Sequence, residues 1–155
     1  MIFKNFKEEM MGLALEEAKK AESLGEVPVG AIVEFQGKVI GKGYNQPILT
    51  SDTTAHAEII AIRDAGRNIN NYRLDGMSIY STLEPCMMCA SSMVHARILK
   101  LYFGAEDKKS GVIISQDNFF DSVYLNHKID FEGGVLHKEA SLILKDFFSL
   151  KRFKV

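Results

Sequence analysis

Two short segments constrain this chain more than anything else in it: His56-Ala57-Glu58 and, about thirty residues later, Pro85-Cys86-Met87-Met88-Cys89. Cys86 and Cys89 are the only cysteines among 155 residues. A histidine and two thiols are soft or borderline ligands, and a fold that unites them can hold one metal ion. Structural zinc sites are normally closed by four protein ligands, whereas catalytic ones keep three and leave a position for water. The sequence supplies three. Glu58 stands two residues from the histidine, where an acid/base for such a water is needed. Whatever the chain folds into must therefore bring residue 56 against residues 86–89.

The spacing says how. Cys86 and Cys89 are i and i+3, neighbours on one helix face. At a helix start the dipole and the free N–H groups favour thiolates. Pro85 suits a first turn, where its missing N–H is not needed, and Glu84 before it is biased away from helix. His56 falls near the start of another helical run, so two facing helix N-termini could hold one ion between them. His56 and Glu58, at i and i+2, do not share a face on a regular helix. Either His56 lies in an irregular first turn or the two residues reach the site from different edges.

Charge assigns Glu58 its part. Two thiolates cancel the charge of Zn²⁺, so the ion acidifies water less than it would among three neutral histidines, where bound water titrates near ~7. A nearby base is then more necessary. Zinc is favoured over other metals because the donors are one imidazole and two thiolates. Taken alone, the C-x-x-C pair also admits a structural metal or a thiol–disulfide couple. His95, His127 and His137 read as surface or structural residues rather than ligands.

Around these motifs the chain reads as one domain spanning residues 1–155, without internal repeats, low-complexity stretches or linkers. A first helix is expected over Phe6–Leu24, capped by Asn5 with Glu8 reaching back, and ended by Gly25. Its apolar face is Met10, Leu13, Ala14, Ala18 and Ala21. Val29–Phe35 and Lys38–Tyr44 flank Gln36-Gly37 as a hairpin. Asn45–Thr53 reads as a polar loop and Thr54–Ala65 as a helix ending near Gly66. A strand over Met77–Thr82, the helix opening at Pro85, a strand over Ile98–Gly104 and a short one over Lys128–Glu132 follow. A last helix covers His137–Phe153. Strands alternating with helices favour a three-layer α/β domain around one central sheet.

Bulk properties exclude several classes. The N-terminus turns acidic at Glu8-Glu9 and does not read as a secretory signal. No run approaches the ~20 apolar residues of a membrane helix, so no membrane partner is expected. Two closely spaced cysteines in an untargeted chain point to a reducing, cytoplasmic setting. Net charge is −1, unlike the strongly basic chains that bind nucleic acid broadly. Basic residues nevertheless gather at the C-terminus, with Lys145, Lys151, Arg152 and Lys154 against Asp146, and Lys108-Lys109 makes a second small cluster.

H-x-E followed by P-C-x-x-C is a general signature of zinc deaminases, and the chain resembles one branch of them. It is similar to the bacterial tRNA-specific adenosine deaminases of the cytidine/deoxycytidylate deaminase superfamily. The segments that carry the likeness are Glu26-Val27-Pro28-Val29-Gly30-Ala31, Thr54-Ala55-His56-Ala57-Glu58-Ile59, Asn71-Tyr72-Arg73-Leu74, Thr82 to Cys89, Phe103-Gly104-Ala105-Glu106-Asp107, Asn126-His127 and Asp146-Phe147-Phe148. The zinc motif itself is shared with deaminases of free bases and nucleosides (cytosine, cytidine or guanine), which form the alternative reading.

The resemblance implies a three-layer α-β-α cytidine deaminase-like fold, with one central mixed sheet of about five strands. It implies one zinc ion per subunit held by His56, Cys86 and Cys89, with Glu58 shuttling protons. Asn45 and the backbone at Ala57 would hold the target base. Asp107, Asn126 and Phe148 would contact the anticodon loop of a tRNA, while at least one of Phe147 and Phe148 packs in the core. The reaction implied is hydrolysis of the wobble adenosine to inosine, with release of ammonia, by a zinc-activated water in a homodimer.

Overall fold

The computed structural model describes residues 2–152. The chain runs α1 (Phe6–Ser23), β1 (Gly30–Phe35), β2 (Lys38–Tyr44), α2 (Pro47–Thr50), α3 (Ala57–Ile69), β3 (Ser78–Leu83), α4 (Met87–Ala96), β4 (Lys100–Ala105), a 3₁₀ turn (Phe119–Asp121), β5 (Asp130–Glu132) and α5 (His137–Arg152). Phe153 and Lys154, assigned from sequence to the last helix and its basic end, lie outside the described residues.

One mixed sheet organises these elements in the order β2-β1-β3-β4-β5. β1 is antiparallel to both β2 and β3, and β3, β4 and β5 run parallel. The β1–β2 hairpin turns on Gln36 and Gly37, both at positive φ (51° and 84°), as a tight two-residue connection requires. Because side chains alternate across a strand, one register builds both cores. Ile32, Tyr80 and Tyr102 are aligned neighbours on the face covered by α1, against Met10, Met11 and Ala14. Tyr80 stacks on Tyr102 at 4.5 Å between ring centroids. Val33, Ile79 and Leu101 alternate to the other face, packing with Ala61, Ala65 and Met93 of α3 and α4. α5 joins the α1 side, where Ala140 meets Leu15 and Ala105. The three-layer expectation is met.

Close approach of α3 to the sheet depends on small residues. Ala57, Ala61 and Ala65 are fully buried. A Cβ on Gly43 of β2 would lie 2.3 Å from the Ala57 carbonyl oxygen, so only glycine allows the first turn of α3 to rest on β2.

Several boundaries differ from those read off the sequence, each for a physical reason. α3 continues three residues past Gly66 and ends where Asn70 adopts the left-handed conformation (φ 55°), with Asn71 N–H donating to Gly66 O. Asparagine tolerates that conformation. The Asn45–Thr53 segment contains a helical turn, α2, because Glu26 accepts from the N–H groups of Ile48 and Leu49. The Asn5 side chain caps α1 by accepting from Glu8 N–H, as expected, but the Glu8 carboxylate accepts from Lys4 N–H rather than from Asn5. Pro85 stands one residue before the N-cap of α4, which is Cys86, so it aims the chain into the helix rather than forming its first turn.

Candidate active site

One edge of the sheet collects the segments that carry His56, Glu58, Cys86 and Asn45. The start of β1 and the ends of β2, β3 and β4 meet there, because β1 runs against its neighbours. Crevices at the carboxyl ends of parallel strands are where open α/β sheets bind ligands. A cavity of about 260 Å³ opens at this edge, lined by Val27, Val29, Asn45, His56, Glu58, Leu83, Glu84, Cys86, Asp107 and Ser110. It falls just below the ~300–1,000 Å³ of sites for drug-sized ligands, so it suits one small group.

His56 is the N-cap of α3, with extended backbone (φ −71°, ψ 153°). This resolves the spacing problem: His56 precedes the helix and Glu58 is its second residue, so the two converge without sharing a helical face. Cys86 is likewise the N-cap of α4, and Cys89 lies in its first turn. Two positive helix ends thus face one point. His56 Nδ1 stands 3.6 Å from Cys86 Sγ and 3.5 Å from Cys89 Sγ, and no two of the three donor atoms are more than 4.8 Å apart. Around a tetrahedral ion with Zn–S of ~2.3 Å and Zn–N of ~2.0–2.1 Å, a sulfur and a nitrogen are about 3.6 Å apart. The donors therefore fit zinc in both chemistry and spacing. They are the only such cluster among the described residues.

Electrostatics match the assignment. The Cys86 thiol is held down to about 4, first by the hydrogen bond with Cys89, against the cost of burial, with His56 adding to the effect. Cys89 is pushed up by the same bond and by its burial. His56 is raised, chiefly by its hydrogen bond with Cys86, while burial opposes. Glu58 is 4% exposed, and burial pushes its carboxyl up to about 7, with its own backbone amide opposing and the nearby Cys86 charge adding. A bound cation acts in the opposite sense.

Asn45 is buried at the end of β2, its N–H donating to Val29 O, and its side chain lines the cavity. Ala57 is the first residue of α3, where backbone N–H groups have no intrahelical partner; its methyl packs into the core. Asp107 also lines the cavity, but its Oδ1 accepts from the N–H groups of Lys109 and Ser110. Asn126 is not brought to the cavity. It accepts from Arg97, at the opposite end of α4 from Cys86. Phe147 is buried and Phe148 is 43% exposed, the rings meeting edge to face at 5.4 Å. Phe148 lines a separate surface hollow with Lys109, Lys151 and Arg152. His127 bonds the carbonyl of Ile98, a structural use.

Two buried glutamates beside the cavity escaped the sequence reading. Glu26 holds the N-terminus of α2. Glu84 accepts five hydrogen bonds from the loop after β4.

The family description "Cytidine and deoxycytidylate deaminase zinc-binding region" matches residues 4–105. Fold and donor set together define a zinc-dependent hydrolytic deaminase. Among curated proteins, the chain is 51% identical to the tRNA-specific adenosine deaminase of Haemophilus influenzae, covering 95% of this chain and 86% of that protein. It is 45% identical to that of Aquifex aeolicus, over 94% and 96%. It therefore belongs to the family of tRNA-specific adenosine deaminases. A solved chain from a study of A-to-I editing by tRNA:A34 deaminases at the wobble position superposes with a TM-score of 0.85 at 42% identity, covering 88% of this chain and 99% of that one. A guanine deaminase from Nitrosomonas europaea shares the fold at 21% identity (TM-score 0.81) and covers 96% of this chain and 87% of that one.

Proposed function

We propose that this protein hydrolyses the wobble adenosine of a tRNA anticodon to inosine, releasing ammonia. The observation that carries the reading is a single cavity walled by two of the metal donors and a buried carboxylate, in a chain that matches tRNA-specific adenosine deaminases over nearly its whole length. Zinc held by His56, Cys86 and Cys89 would supply an activated water.

The chain's own residues do the rest. Glu58 takes one proton from the water and delivers it to a ring nitrogen as the water oxygen bonds the ring carbon. It then carries the second water proton from the new hydroxyl to the amino group, whose C–N bond breaks to release ammonia and leave the ring carbonyl. Its carboxylate is buried beside His56 and Cys86 at the cavity, within reach of a water there, and positioned acid/base catalysis is typically worth about 10²–10⁴-fold. The Asn45 amide and the free N–H at Ala57 hold the base edge. Leu83, Val27 and Val29 supply apolar walls that exclude water. A loop nucleotide can enter because its base splays out at lower cost than one in a duplex.

Asp107 shapes the entrance, and Phe148, with Lys109, Lys151 and Arg152 around it, offers a stacking surface and cations for flanking nucleotides. The working unit is a homodimer, with Asn126 serving RNA bound at the neighbouring subunit. The deciding assay is metal-loaded protein with an anticodon stem-loop carrying a wobble adenosine. Inosine is the expected product; none from the stem-loop, with turnover of free cytosine or guanine instead, would replace this reading with a free-base deaminase.

A further inference from the structure

Glu84 stands between the end of β3 and the metal-binding turn, 1% exposed, and takes no part in the chemistry assigned above. Its Oε2 accepts from the N–H groups of Ile113 (3.0 Å), Ile114 (2.9 Å) and Ser115 (3.0 Å). Its Oε1 accepts from Asp107 N–H (3.1 Å) and the Ser115 hydroxyl (2.5 Å). A carboxylate offers about four lone-pair sites, so these five donors saturate it and leave nothing for a metal or a substrate. All five come from one loop, residues 107–115. Val112 N–H bonds Pro85 O beside them (3.1 Å), and a Cβ on Gly111 would lie 2.3 Å from Glu84 Cδ. The loop is thus wrapped around the carboxylate as a nest of N–H donors.

That loop forms one wall of the cavity through Asp107 and Ser110. The hydrogen bonds continue through it: Glu84 fixes the Asp107 backbone, and the Asp107 carboxylate fixes the N–H of Ser110. Two residues beyond Glu84 in the other direction is Cys86. We infer that Glu84 is a positioning residue that sets the gap between the metal-binding turn and the loop bearing Asp107 and Ser110, and so governs how tightly the target nucleotide is held. This inference rests on the proposed function and goes beyond it, since it assigns substrate fit to a residue whose carboxylate is engaged by protein donors alone.

The two roles open to such a residue separate kinetically. In Glu84→Gln the amide must turn its NH₂ toward backbone N–H groups. Losing charged hydrogen bonds at a buried site is expected to raise KM for the stem-loop about tenfold or more, with kcat and zinc content near those of the wild type. Gly111→Ala, which displaces the loop but keeps the carboxylate, should show the same split and stands in if Glu84→Gln does not fold. Stem-loop affinity measured in a Glu58→Gln background should fall in parallel. A fall in kcat at constant KM, loss of zinc, or unchanged kinetics in both variants would overturn the inference. Should the wild type itself make no inosine, the proposed function fails and amide exchange judges the loop. Faster exchange confined to residues 107–115 in Glu84→Gln supports the positioning role, and a uniform rise across the domain refutes it.

Discussion

At the second position of α3, Glu58 combines two conditions that seldom coincide in a carboxylate. It is buried, which lifts its carboxyl to about 7, and it lines a cavity that also holds His56 and Cys86. Substitution by glutamine preserves its size and removes its proton traffic. Glu58→Gln should therefore retain zinc at wild-type content while turnover falls about 10²–10⁴-fold. Metal analysis beside a chromatographic inosine assay checks this, and near-normal turnover would dismiss the assigned role. His56, Cys86, Cys89 and Glu58 are legible in the sequence because their chemistry is rare and their spacing local. Glu26 and Glu84 are not, because their donors are mostly backbone N–H groups 22 to 31 positions away, and a backbone amide carries no signature in a sequence. Asp107 is intermediate: resemblance marks it, but only the fold shows that its Oδ1 is engaged by its own loop.

At the scale of elements, the site is the meeting of two helix starts. Hydrophobic periodicity and turn residues located nearly every helix and strand, and the hairpin at Gln36-Gly37 fell where its turn chemistry put it. The ends were less legible, since Asn70 rather than Gly66 stops α3, and α2 exists through a contact with distant Glu26. Where α3 starts matters most, because it sets His56 and Glu58 against the sheet. Gly43→Ala places a methyl group 2.3 Å from the Ala57 carbonyl oxygen, and backbone cannot swing aside as a side chain would. Overpacking of this kind costs about 1–3 kcal/mol, so the urea midpoint should drop and zinc affinity should weaken with it. Normal metal affinity in a destabilised Gly43→Ala would separate the seat of α3 from the metal site. Removing the ion tests the same junction from the other side. A ligand that binds only the folded state at a thousand times its Kd stabilises by ~4.1 kcal/mol. In a chain of this length, chelation should then lower Tm by on the order of 10 °C. Helical signal at 25 °C should persist, because α3 and α4 are seated on the sheet by core residues such as Ala61, Ala65 and Met93. An unchanged Tm after verified zinc removal would show that the cluster adds nothing to stability.

For the whole molecule, the proposed homodimer asks one subunit's surface to serve the other's cavity. Within one chain, Asn126 bonds Arg97 just past the end of α4, while Cys86 caps the start of that helix. Eleven residues at ~1.5 Å per residue separate those ends by roughly 16 Å. Asn126 does not line its own subunit's cavity, and the proposed homodimer gives it a place beside the neighbouring one. The arrangement predicts an asymmetry that mixed dimers can read. A dimer pairing a Glu58→Gln subunit with an Asn126→Ala subunit keeps one competent site, because the intact Glu58 faces the intact Asn126 across the interface. A dimer pairing a wild-type subunit with one carrying both substitutions has its only functional Glu58 opposite the lost Asn126. The first should retain about half of wild-type activity, on the simple count of competent sites, and the second should fall well below it. Differently tagged subunits, co-expressed and purified through both tags, supply the two species at equal zinc content. Equal activity in the two would place Asn126 outside the RNA path, and the reverse order would place it in the path of its own subunit. A protein that stays monomeric at assay concentration would remove the neighbouring cavity altogether and leave the Arg97 bond as the whole of what Asn126 does.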